Sequence, residues 1–208
     1  MNRTKFIALA ALAGIAAGVV GVYGIGNGSG NRESVVCREA TALAARIAPF
    51  ARGEMAAVNV QTKPTPLTPL TFNRPDGSPI RLADFKGRTV LLNLWATWCA
   101  PCRHEMPALD ALQAEVGGAA FEVVTINIDT RDPAKAAAFL DEIKVSHLTR
   151  YADPTAGVFQ DLKKAGKAIG MPTTLLIDPQ GCELANLAGP AEWASADAKA
   201  LITAALSR

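Results

Sequence analysis

Thr89-Val90-Leu91-Leu92-Asn93-Leu94-Trp95-Ala96 runs through Thr97 into Trp98-Cys99-Ala100-Pro101-Cys102, and Arg103-His104-Glu105-Met106 follows. The first stretch is a short, nearly continuous apolar run, the pattern of a buried strand. Cys102 to Met106 with Ala108 to Val116 reads as a helix interrupted by Pro107. Two cysteines three residues apart therefore fall where a strand enters a helix, and their spacing can close a small disulfide ring. A sulfur at a helix N-terminus lies near unpaired backbone N–H groups and the positive end of the macrodipole, which favour thiolate over thiol. The thiolate is the reactive form in disulfide exchange. Position and spacing together point to a redox dithiol.

Other uses of the pair fit less well. A zinc site would need a second close pair of ligands; Cys37 and Cys182 do not form one, and His104 and His147 stand alone. Attachment of c-type haem needs histidine directly after the second cysteine, where this chain has Arg103. An inert staple would close too short a ring to restrict the unfolded chain much.

The N-terminus bears on where this chemistry takes place. Phe6 to Ile25 is a run of 20 residues without a charge, preceded by Arg3 and Lys5. As a helix it would reach about 30 Å, the thickness of a bilayer core. The basic residues keep that end cytoplasmic and place the remainder outside the membrane; Tyr23 suits the far interface. A cleaved signal peptide would have an apolar core of about 7–15 residues ending in an A-x-A-like site. Here Ala8-Leu9-Ala10 and Ala11-Leu12-Ala13 lie inside the run, which favours an uncleaved anchor. Arg3 and Lys5 account for the whole formal charge of +2, so the rest is neutral and offers no basic surface for nucleic acid.

The expected organisation is a signal-anchor transmembrane helix at 1–25, a flexible tether at 26–34, an N-terminal helix with a Pro-rich connector at 35–69, and the main domain at 70–208. Gly26-Asn27-Gly28-Ser29-Gly30-Asn31 forms the tether; no strand precedes it and no Gly-Lys-Ser/Thr follows, so a phosphate loop is not expected. Ser34 is placed to cap a helix through about Ala48, with Val36, Ala40, Leu43 and Ile47 on one stripe and Pro49 at its end. Lys63 to Pro69 reads as an extended connector. Thr71–Asn73 and Pro79–Leu82 flank the turn at Pro75-Asp76-Gly77. Phe121–Ile128 reads as a strand, and the strand–helix–strand unit it completes favours parallel pairing with a right-handed crossover. Helices are expected at Pro133–Ile143, Thr155–Lys164 and Ser195–Ala205. Strands Thr173–Ile177 and Glu183–Ala188 flank the turn at Asp178-Pro179-Gln180-Gly181.

With its strand, W-C-x-P-C, helix and later Met171-Pro172-Thr173, the chain resembles the thioredoxin superfamily over about 70–208. Longer stretches are similar to the TlpA family of membrane-anchored bacterial thiol:disulfide interchange proteins. They are Asn93 to Cys99, Gly170 to Asp178, Pro179-Gln180-Gly181-Cys182-Glu183 and Ala188 to Ser195. The resemblance covers nearly the whole chain. It implies a thioredoxin fold: a central mixed β-sheet flanked by helices, here with an N-terminal helical extension and a membrane anchor. It implies Cys99 as the attacking and Cys102 as the resolving thiol, with no cofactor beyond the redox-active pair and no bound metal. Trp98 would pack beside the sulfur, Pro172 would be cis, and the backbone of Met171 would pair with an extended substrate by strand addition. The alternatives for these residues are a core aromatic at 98 and an ordinary strand-start proline at 172. Cys37 and Cys182 belong to the resemblance as an extra pair, expected as a structural disulfide. Cys37 aligns with Ala40 and Ala44 on the inward side of its helix; two buried free thiols are the alternative.

The implied protein is a periplasm-facing disulfide reductase of the cytoplasmic membrane, recharged by a membrane electron donor of the DsbD/CcdA type. Its implied clients are cysteines of a Sco-type copper chaperone and of cytochrome oxidase subunit II. Reduction of apocytochrome c and a copper-binding metallochaperone are the alternatives. No Met- or His-rich cluster accompanies the dithiol, which favours reducing a copper chaperone over carrying copper. One departure matters. Thioredoxins place a buried Asp where this chain has Asn93, and some anchored relatives carry Glu between the cysteines where this chain has Ala100. Asn cannot exchange a proton near neutral pH. Water or another acid such as Glu105 would take the proton of Cys102, or the step is slower. The plain alternative is that Asn93 satisfies buried backbone groups.

Overall fold

All seven residues from Thr89 to Trp95 are buried, as a nearly continuous apolar run requires of a strand covered on both faces. The structure is a computed structural model describing residues 37–67 and 69–207. The expected anchor at 1–25 and tether at 26–34 lie outside the described residues, and no described helix is long and apolar enough to cross a membrane.

In chain order the elements are α1 (Arg38–Ile47), β1 (Asn59–Val60), β2 (Thr71–Asn73), β3 (Pro79–Arg81), β4 (Thr89–Trp95), α2 (Ala100–Val116), β5 (Phe121–Asn127), α3 (Pro133–Glu142), β6 (Tyr151–Ala152), α4 (Gly157–Lys164), β7 (Thr173–Ile177), β8 (Glu183–Ala188) and α5 (Ala196–Leu206). One sheet takes the order β1-β8-β7-β4-β5-β6-β2-β3. β4 and β5 are parallel in register Thr89↔Phe121 to Trp95↔Asn127, joined by α2 as the crossover. β4 and β7 are antiparallel, with Leu94 opposite Thr173. This is a thioredoxin-like α/β fold, a mixed sheet flanked by helices.

One expectation needs correction. The α2 helix runs through Pro107 without interruption. Pro107 is on the exposed side, where water can take the carbonyl it leaves unbonded. Within the expected connector, Thr65 to Leu67 lie along the sheet edge. Glu183 N–H donates to the Thr65 carbonyl at 3.0 Å and Leu67 N–H to that of Gly181 at 3.1 Å, while β1 pairs with β8 farther along. Among the described residues α1 starts at Arg38, with Cys37 at its N-cap position, and the expected cap Ser34 lies outside the described residues. Its buried Ala40, Ala44 and Ile47 face α5 and β8. A disulfide between Cys37 and Cys182, with Cα atoms 5.8 Å apart, joins its start to the start of β8. In α5, Ser195 caps the helix as its sequence suggests: Oγ accepts from Ala198 N–H at 3.1 Å.

Candidate active site

Two strand ends and one helix start converge on the W-C-x-P-C motif. Cys99 is the N-cap of α2, with its N–H on the Ala96 carbonyl at 3.1 Å and its own carbonyl accepting from Arg103 N–H at 3.1 Å. Cys99 and Cys102 are joined as a disulfide with Cα atoms 5.3 Å apart, and Cys102 N–H lies 3.3 Å from Cys99 Sγ. Cys99 retains 6% of its surface and Cys102 none. An incoming thiol or disulfide therefore meets Cys99 first.

Trp98 is 67% exposed, so it is not a core aromatic. Leu94 pairs with Thr173, which brings the Met171–Pro172 loop to the same end of the sheet as Trp98 and Cys99. The Met171–Pro172 peptide is cis, Pro172 is buried and Met171 half-buried. Thr173 Oγ1 donates to the Gly170 carbonyl at 2.7 Å, and Gly189 N–H to that of Pro172 at 2.9 Å. Lys167, which leads into the loop, holds the fully buried Glu183 at 2.5 Å. Cys37 and Cys182 sit elsewhere: β7 reaches the dithiol end through Thr173, whereas Ile177, at its other end, pairs with Glu183 beside Cys182.

Beneath the dithiol lies a polar network within an apolar core. Asn93 Nδ2 donates to Glu105 Oε1 at 2.7 Å and to Thr174 Oγ1 at 2.9 Å. Asn93 thus serves side chains rather than backbone groups, and its buried Oδ1 has no hydrogen-bond partner among the described residues. Glu105 Oε2 accepts from Ala191 N–H and from Trp193 Nε1–H, each at 3.2 Å. Burial pushes the Glu105 carboxyl up to about 7, against the lowering effect of its N–H donors. Glu105 stands one turn after Cys102 on α2, on the stripe Cys102-Glu105-Met106-Leu109-Leu112 that the helix buries. That spacing was the signal for its burial.

Sequence reasoning missed Asp129. Its buried carboxylate accepts from Thr97 N–H at 3.0 Å, Thr97 Oγ1 at 3.1 Å and Asn127 Nδ2 at 2.8 Å. It fastens the segment before Trp98 to the end of β5. The alternation Thr125-Ile126-Asn127-Ile128-Asp129 at the carboxyl end of a parallel strand was the available cue. Beside Trp98 an open groove of about 420 Å³ is lined by Thr97, Asp129, Arg131 and Lys135. His104 is exposed on α2 and takes no part in the network.

The geometry supplies a reversible sulfur–sulfur bond with one accessible end, an ionisable carboxyl below it and a backbone loop beside it. Residues 61–202 match the Redoxin family. The chain belongs to the redoxin family. It is 37% identical over 106 residues to the thiol-disulfide oxidoreductase ResA of Oceanobacillus iheyensis, covering 51% of this chain and 52% of that one. To the thiol:disulfide interchange protein HelX of Rhodobacter capsulatus it is 36% identical over 115 residues, 54% of this chain and 60% of that one. The match to curated relatives thus spans between about half and three fifths of their length. The crystal structure of a Chlorobium tepidum protein described as a thiol:disulfide interchange protein DsbE superposes with a TM-score of 0.58 at 30% identity. That superposition covers 68% of this redoxin and 96% of the other chain.

Proposed function

We propose that this redoxin is a protein disulfide reductase of the TlpA type, with Cys99 as the attacking thiol and Cys102 as the resolving thiol. The observation that carries the reading is the unequal exposure of the two sulfurs at the start of α2, beside the Met171–Pro172 loop. In the reduced protein the Cys99 thiolate attacks a client disulfide; a mixed disulfide forms and one client thiolate leaves. Cys102 then gives up its proton and attacks Cys99 Sγ. The ring closes as Cys99–Cys102, and the second client thiolate departs with the electron pair of the broken bond. The dithiol loses two electrons and the client disulfide gains two. Trp98 and the Met171 backbone bind the client segment, the latter by strand addition.

The direction and the clients rest on the resemblance to TlpA. The domain faces the periplasm from an anchor at 1–25 in the cytoplasmic membrane, and a donor of the DsbD/CcdA type recharges it. Its clients are cysteines of a Sco-type copper chaperone and of cytochrome oxidase subunit II. The anchored thioredoxins that this chain also resembles support apocytochrome c as the second client class. Trapping decides between them. A Cys102→Ser variant should accumulate a mixed disulfide on Cys99, and mass spectrometry of the adduct identifies the client. Adducts confined to apocytochrome c would move the protein to cytochrome c maturation. Absence of any adduct, with stoichiometric copper on the reduced wild type, would make it a metallochaperone.

A further inference from the structure

The carboxyl of Glu105 is held from the far end of the chain. Trp193 and Ala191, in the stretch between β8 and α5, place two N–H donors on Oε2, and Asn93 places one on Oε1. Trp193 is itself buried, so its indole N–H has no route to water. An ionised carboxylate only accepts hydrogen bonds, and N–H groups aimed at it therefore favour the charged form. Burial of the same group favours the neutral form. The two effects leave the carboxyl at about 7, where it can both take and return a proton under ordinary conditions.

We propose that Trp193 is a positioning residue for disulfide exchange, its indole N–H keeping Glu105 in a state able to accept the proton of Cys102. This rests on the reductase reading above and gives the Gly189–Trp193 stretch a part in it. After the mixed disulfide has formed on Cys99, the S–H bond of Cys102 breaks and the proton passes to Glu105, carboxylate becoming carboxylic acid. The Cys102 thiolate attacks Cys99 Sγ, and the client sulfur leaves as a thiolate. Glu105 then returns the proton to that thiolate or to water. Protons and electrons balance without a further reactant.

The ionisable groups around Glu105 are few. Glu192, on the same stretch, is of like charge and opposes ionisation. Cys102 is one turn back on α2, and His104 is adjacent in sequence but exposed. Asn93 on β4 and Thr174 on β7 do not titrate. In α5, Lys199 is engaged by Glu115 at 2.6 Å.

The test measures resolution of a mixed disulfide against pH in the full chain, with a small peptide disulfide as probe, for wild type, Trp193→Phe and Glu105→Gln. Loss of one hydrogen bond to a charged group should raise the midpoint of the Trp193→Phe profile by roughly one pH unit. Below the midpoint the rate should fall about tenfold, and the plateau at high pH should be kept. The infrared band of the protonated Glu105 carboxyl, assigned by its loss in Glu105→Gln, should shift its midpoint equally in the oxidised protein. Should Trp193→Phe fail to fold, a benzothienylalanine at 193 keeps the ring shape without the N–H and should give the same shift. A merely structural role would lower the rate at every pH and leave both midpoints in place; that result overturns the proposal. So does a Glu105→Gln profile identical to wild type, in which case loss of exchange in Cys99→Ser leaves the reductase reading standing. Exchange that survives Cys99→Ser would instead bring down the reductase reading itself.

Discussion

Thr97 is bound twice by Asp129, through its N–H to Oδ2 at 3.0 Å and through its Oγ1 to Oδ1 at 3.1 Å. The contact ties the residue before Trp98 to the chain leaving β5. Asp129→Ala would strand donors on the half-buried Thr97 and the buried Asn127, at a cost of about 2 kcal/mol. The expected drop in melting temperature is roughly 4–8 °C for a domain of this size. Asp129→Asn, which retains an acceptor, should lose less. Thermal unfolding followed by circular dichroism checks both, and no loss in Asp129→Ala would show that the clamp is dispensable.

The two sulfurs at the start of α2 should differ in reactivity. On brief alkylation of the reduced domain at neutral pH, label should collect on Cys99, because Cys102 has no exposed surface. Peptide mapping by mass spectrometry gives the ratio. Preferential labelling of Cys102 would reverse the assignment of attacking and resolving thiols.

A dedicated reductant should hold its electrons loosely. The Cys99–Cys102 couple is expected nearer thioredoxin, at about −270 mV, than the oxidant DsbA, at about −120 mV. Equilibration in glutathione buffers measures it. A potential at the oxidant end would mean that the protein makes disulfides rather than removes them.

Cys37 and Cys182 close a loop with a sequence separation of 145 residues. Chain entropy alone gives such a cross-link roughly 5 kcal/mol. Cys37→Ser with Cys182→Ser should therefore lower the melting temperature strongly while sparing most exchange activity, since neither sulfur belongs to the dithiol. Mild dithiothreitol should open Cys99–Cys102 before this bond. Equal loss of activity and stability would tie the second disulfide to the chemistry.

Glu105 predicts how the stability of the oxidised protein depends on pH. Its carboxyl titrates near about 7 in the folded state against an ordinary 4.5, so the folded state binds the proton more tightly. Any stability this confers is complete below about pH 4.5 and is lost as pH rises through about 7, a change of roughly 3 kcal/mol by linkage. Glu105→Gln should abolish that loss, gaining on wild type as pH rises from about 5 to 8. By turning its amide, Asn93 can present Oδ1 to the new NH₂ group, with the Thr174 hydroxyl then donating to that oxygen in place of accepting from Nδ2. Denaturant unfolding at a series of pH values gives both curves, and parallel curves would argue that Glu105 is not the titrating group.

The central elements were legible in the sequence because each carries its own signal. The apolar run at 89–95 is long enough to mark a buried strand, and C-x-P-C marks the helix that follows it. What was less legible depends on neighbours. β1 and β6 have two residues each, too few for a period to register, and exist because β8 and β5 offer them an edge. Pro107 signals a break, yet its exposed position lets the helix continue. At the site, the dithiol at a strand-to-helix junction was readable from local sequence, whereas a role for Trp98 came only from the resemblance. The partners of Glu105 were not, since Trp193 lies 88 positions away and only the tertiary fold brings it to the carboxyl.

The margins of the sheet are both finished with proline. β3 opens on Pro79, and the chain laid against the start of β8 carries Pro66, bridged to Cys182. Proline has no N–H to offer a neighbour, and short flanking strands leave little to copy. A foreign strand, or a second molecule of the same kind, therefore finds no long ladder to extend at either border. If the proposed strand addition of a client holds, the protein gains from that arrangement by not polymerising on its own borders. It can keep its outer borders closed and its open backbone at the loop beside the sulfurs.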